Sequence, residues 1–106
     1  MQERRKARRY PVSLKALASG EGKTYEGKVT DISFSGVRFV CVDKIEEGQK
    51  LELTLFIEQE QVKLDSVVVW AAELEGLEDV QHGMKVSGVV FVSDSKKLDE
   101  FFSRFK

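Results

Sequence analysis

The chain has 106 residues, 42% of them apolar and 33% charged, and a formal net charge of −1; this suits one soluble domain with a modest core and leaves no room for a second. A single cysteine, Cys41, excludes an intramolecular disulfide and a cysteine-based structural zinc, and a single histidine, His82, leaves little for metal or triad chemistry. The apolar stretch that follows the basic start is broken by Ser13 and Lys15, and no run reaches the length of a membrane span, so the expected location is the cytoplasm.

The first element is a basic arm over residues 1–11. Of 17 cations and 18 acids, five cations and one acid (Glu3) fall in the first ten residues, leaving 12 cations against 17 acids, a net −5, in residues 11–106. A uniformly basic track for nucleic acid is therefore not expected; charge gathered in one short arm suits a compact anionic ligand, with a solvated tail as the simpler reading. Like charges at close spacing, without apolar anchors before Tyr10, predict that the free arm is mobile.

From residue 12 to 106, apolar residues recur mainly with period 2 in short runs separated by Gly, acidic or Ser-rich turns, which predicts antiparallel strands. Six are expected, near Val12–Ala18, Thr24–Ile32, Val37–Val42, Lys50–Ile57, Gln61–Ala72 and His82–Val92, in a meander. The fourth is plainest: Leu51, Leu53, Leu55 and Ile57 share one face. Glu58 to Gln61 reads as a hairpin connection, and Asp43 to Gly48 as a longer loop ending in a turn glycine. Beyond Ser95 the period changes to that of a helix, with Leu98, Phe101, Phe102 and Phe105 on one stripe and Ser93 or Asp94 available as a cap. Such a short helix needs a surface to pack on. Six strands with one terminal helix predict an all-β fold, a small closed or nearly closed barrel.

The stretch from Thr30 to Phe39, TDISFSGVRF, holds the most polar chemistry in the interior of the chain. Asp31 offers two acceptors, Ser33 a hydroxyl, and Gly36 a position where backbone can take positive φ or approach a ligand closely. Strict alternation would point Asp31 and Ser33 inward, so they need either a barrel rim or a bulge near Thr30 to face solvent. The simpler reading is a turn in which Asp31 or Ser33 caps backbone amides. Arg38 reads as part of a solvated face.

Taken together, Arg5-Lys6-Ala7-Arg8-Arg9 and Asp31-Ile32-Ser33-Phe34-Ser35-Gly36 resemble the R-x-x-x-R and [DN]-x-S-x-x-G motifs of the PilZ domain, a family of small β-barrel receptors for cyclic di-GMP. Tyr10-Pro11-Val12, the VVVW run at Val67 to Trp70, the later HGMKVSGVVF and the phenylalanine helix are similar to the rest of that domain, so the resemblance covers nearly the whole chain. It implies a PilZ-type barrel that is a receptor and not an enzyme, with cyclic di-GMP as ligand and no other cofactor. It implies contacts from Arg5, Arg9, Asp31, Ser33 and Gly36: arginines on phosphates or guanine edges, Asp31 accepting from guanine N1–H and N2–H. Arg4 and Arg8 offer a competing frame and possible contacts to a second ligand copy. Trp70 falls where some members carry an aromatic near the ligand, with core packing as the other reading. A protein partner in motility, pilus or exopolysaccharide machinery would receive the signal through ordering of the arm. Two other readings are a degenerate PilZ adaptor that binds no nucleotide, and a small single-strand nucleic-acid barrel, which would want exposed aromatics and a positive groove.

Overall fold

Between Lys50 and Ile57 the expected inner face is realised, with Leu51, Leu53, Leu55 and Ile57 buried; on the other face Glu52 is exposed, Phe56 half-buried and Thr54 buried. The computed structural model describes residues 9–72, 84–93 and 96–103. Among them lie six strands, β1 (Tyr10–Gly20), β2 (Lys23–Ile32), β3 (Gly36–Cys41), β4 (Lys50–Ile57), β5 (Glu60–Ala72) and β6 (Lys85–Phe91), and a helix, α1 (Lys96–Ser103). The expected sixth strand opened at His82, which lies outside the described residues, as do Ser95 and Phe105. No helix among the described residues is long and apolar enough to cross a membrane.

All strand pairs are antiparallel, and they close into a barrel in the order β1-β2-β3-β6-β5-β4. This corrects the expected meander. Each half of the chain is one, but β3 pairs with β6 and β4 with β1, so consecutive strands β3 and β4 are not neighbours. Tight two-residue turns at Glu21-Gly22 and Glu58-Gln59 force adjacency on the strands they join. The link from Val42 to Gln49 is long enough to cross, and it buries Ile45, 1% exposed, in the core.

Helix α1 turns Leu98, Phe101 and Phe102 into the same core cluster as Val29, Ile32, Leu55 and Val62. Burying each such side chain contributes about 1.5–3 kcal/mol, enough to hold a helix too short to stand alone. Lys97 Nζ lies 3.4 Å from Glu60 Oε1 at the β4–β5 hairpin, which fixes the end of the barrel that α1 covers. The Ser93 hydroxyl accepts from the Asp65 N–H of β5 at 3.0 Å. Asp94 lies outside the described residues.

Candidate functional site

Two bulges build the site. On β2, Val29 pairs with Phe39 and Asp31 with Arg38, so Thr30 is an extra residue with no opposite on β3. On β5, Val68 pairs with Val89 and Trp70 with Gly88, so Val69 is extra in the same way. An inserted residue shifts the strand's alternation by one, which answers the choice between rim and bulge: Val29 and Ile32 both stay buried and Asp31 comes to the surface.

Because Arg38 pairs with Gly88, the bulges bring four residues into one transverse row over four strands, Asp31 (β2), Arg38 (β3), Gly88 (β6) and Trp70 (β5). With strands about 4.8 Å apart, the row spans roughly 14 Å. A cleft of about 350 Å³ lies along it, and its wall also includes Arg9, Ser35 and Gly36. Gly88 has no side chain because the Trp70 indole lies over it: a Cβ there would run into the ring. Trp70 itself is 39% exposed, so it forms a cleft wall and is not a core residue.

The charged end of the row is an arginine–carboxylate–arginine group. Arg9 Nε donates to Asp31 Oδ1 at 2.8 Å, and its Nη2 contacts the same oxygen. From the other side, Arg38 Nε lies 3.6 Å from Asp31 Oδ2 and donates to Thr30 Oγ1 at 2.8 Å. Arg38 is thus held in the cleft and is not on a freely solvated face. Period 2 within β3 separates Arg38 from inward Val37 and Phe39, but only the pairing register sets it opposite Asp31.

Ser33 is fully buried beneath the cleft. Its hydroxyl accepts from the Ser35 and Gly36 N–H groups at 3.2 and 3.3 Å and contacts Ser35 Oγ at 3.1 Å, so it builds the turn, and Ser35 is the hydroxyl that reaches the wall. Gly36 does not have a positive φ. Its lack of a side chain serves close approach, since a Cβ would collide with the Val89 carbonyl of β6. The structure therefore brings together Arg9, Asp31, Gly36 and Trp70. Arg4, Arg5 and Arg8 lie outside the described residues.

The fold and this cleft define a small antiparallel barrel with arginines, a carboxylate and an aromatic face along one cleft. The PilZ domain model matches residues 3–104, and the chain belongs to the PilZ domain family. Among solved structures it is similar to the Bacillus subtilis inhibitor of motility MotI/DgrA, at a TM-score of 0.76 and 15% identity, covering 96% of this chain and 48% of that one. It is similar to Escherichia coli YcgR, solved in complex with c-di-GMP, at 0.71 and 14%, covering 96% and 44%. A third similar structure is the PilZ domain of CeSA from a cellulose-synthesizing bacterium, at 0.59 and 14%, covering 92% and 90%. The chain spans about half the length of the MotI and YcgR chains. At such identities the likeness is one of fold. No curated protein matches the chain.

Proposed function

We propose that this chain is a cytoplasmic cyclic di-GMP receptor or adaptor, not an enzyme, and that it signals to a protein partner. The observation that carries the reading is the transverse row, in which the motif carboxylate Asp31 lies between two arginines and shares a cleft with an exposed indole. Cyclic di-GMP carries two phosphodiester charges and two guanines. Arg5 and Arg9 clamp its phosphates or guanine edges, because a planar guanidinium can donate two bonds at once. Asp31 accepts from the N1–H and N2–H of one guanine, and Trp70 offers a face for a base. Ser33 and Gly36 act by shaping the turn that sets Asp31 in place, and Arg4 and Arg8 add contacts when a second ligand copy is bound.

The Arg9–Asp31 pair must open or share its carboxylate when guanine arrives. Ligand charge then draws the segment before Arg9 onto the barrel and orders it, creating the surface a partner reads. The E. coli YcgR complex and the motility role in the MotI name support this reading, with motility, pilus or exopolysaccharide machinery as the class of partner.

Titration of Trp70 emission with cyclic di-GMP, with GTP and a short oligonucleotide as competitors, tests it. The reading expects a saturable change that neither competitor reverses. Equal competition by the oligonucleotide, with steep salt dependence, would instead indicate a single-strand nucleic-acid barrel.

A further inference from the structure

We infer that Arg38, which belongs to neither sequence motif, contacts the ligand itself and reads the guanine O6 beside the edge held by Asp31. The inference rests on the cyclic di-GMP reading and adds a specificity-determining residue to it. Three observations carry it. Arg38 occupies the middle of the row, with Asp31 opposite on one side and Gly88, under the Trp70 indole, on the other. Its Nε is used, donating to Thr30 and lying near Asp31 Oδ2, while its Nη groups have no hydrogen-bond partner among the described residues. Its side chain is 28% exposed and lines the cleft.

A guanidinium fixed at Nε is a fork whose remaining donors are already oriented, so little side-chain entropy is lost when it binds. Asp31 and Arg38 therefore present an acceptor and a donor side by side. Guanine offers the complement on one edge, with N1–H and N2–H for the carboxylate and O6 for the arginine. Adenine would oppose the arginine with its own N6 donor. The Thr30 bulge serves this arrangement twice, bringing Asp31 to the surface and supplying the hydroxyl that pins Arg38.

The test is calorimetry of the full chain and of Arg38→Ala and Arg38→Lys with cyclic di-GMP, cyclic di-IMP and cyclic di-AMP, with melting curves to verify folding. Cyclic di-IMP lacks the N2 amino group that Asp31 reads but keeps O6. If Arg38 reads O6 directly, Arg38→Ala weakens both guanine and hypoxanthine ligands by the same factor, about tenfold or more, and narrows the preference over cyclic di-AMP. Arg38→Lys, which keeps the charge, recovers only part of the loss.

Affinity in Arg38→Ala within about twofold of the parent overturns the inference and leaves the receptor reading standing. So does a loss clearly smaller with cyclic di-IMP than with cyclic di-GMP, since Arg38 would then act only by bracing Asp31, which has N1–H alone left to read, and so does an unchanged preference over cyclic di-AMP. If Arg38→Ala melts early, Arg38→Lys alone decides by the same comparison. Failure of the parent chain to bind cyclic di-GMP overturns both.

Discussion

Phe34 and Phe102 stack with ring centroids 4.3 Å apart and planes tilted by 34°, joining the middle of the Asp31–Gly36 turn to helix α1. Tyr10, the residue after Arg9, meets the same Phe102 ring at 5.9 Å. Both protein segments that hold Asp31's side of the cleft thus touch one buried aromatic on the helix. Phe34 is half exposed, so Phe34→Ala leaves the barrel folded but loosens α1, read as faster amide exchange over Lys96–Ser103. Phe102 is 2% exposed, and Phe102→Ala costs about 3–5 kcal/mol of stability in denaturant unfolding. Equal exchange in α1 with and without the Phe34 ring would show that the stack does not hold the helix.

Arg9 and Asp31 separate binding from stability. Their pair is partly solvent-exposed, and such pairs contribute about 0–1 kcal/mol to folding. The same groups facing a desolvated guanylate are worth about 2–5 kcal/mol each, a loss of roughly thirtyfold or more in affinity. Arg9→Ala and Asp31→Ala therefore melt near the parent temperature while cyclic di-GMP binding falls by that factor, as paired melting and binding curves would register.

Two glycines respond differently to one added methyl. At Gly36 a Cβ meets the Val89 carbonyl, so β3 and β6 must separate, and Gly36→Ala destabilises by about 1–3 kcal/mol in denaturant unfolding. At Gly88 a Cβ meets the indole of Trp70, a side chain that can swing away. Gly88→Ala therefore shifts tryptophan emission, which reports Trp70 alone because the chain has one tryptophan, and weakens ligand binding with a smaller effect on unfolding.

Burial pushes the Cys41 thiol pKa up, outweighing a backbone hydrogen bond at Asp43 that pulls it down; the Asp43 charge adds to the rise and Lys85 opposes it. A raised folded value favours the protonated thiol. Its stabilising contribution is complete below the ordinary thiol range and is lost as pH rises through the raised value. Alkylation by iodoacetamide at pH 8 should be much slower in the native protein than in denaturant, and the alkaline loss of stability should shrink in Cys41→Ala. Equal rates in the two states would contradict this.

Local pattern carried far in this chain, and long-range pairing marks where it stopped. The alternation of Leu51 to Ile57, the helical stripe of Leu98, Phe101 and Phe102, and the two motifs in order are each readable from a few neighbouring residues. The exchange of β4 for β6 beside β3 is not, because strand partners are chosen by closure of the whole barrel. Arg38 was hidden for the same reason: on its own strand it is an ordinary outward cation, and only the register and the Thr30 bulge place it against Asp31. Ser33 was legible as chemistry but ambiguous in use, since one hydroxyl can serve a turn or a ligand; in the structure it accepts from the turn's own Ser35 and Gly36 amides.

The central claim is most directly tested by calorimetric titration of the full chain with cyclic di-GMP, run beside Arg9→Ala and Asp31→Ala. The account predicts saturable binding, micromolar or tighter (a free energy of about −8 kcal/mol or better), that both substitutions abolish or weaken by roughly thirtyfold. No heat of binding in the parent chain, or binding that both variants retain in full, would contradict it.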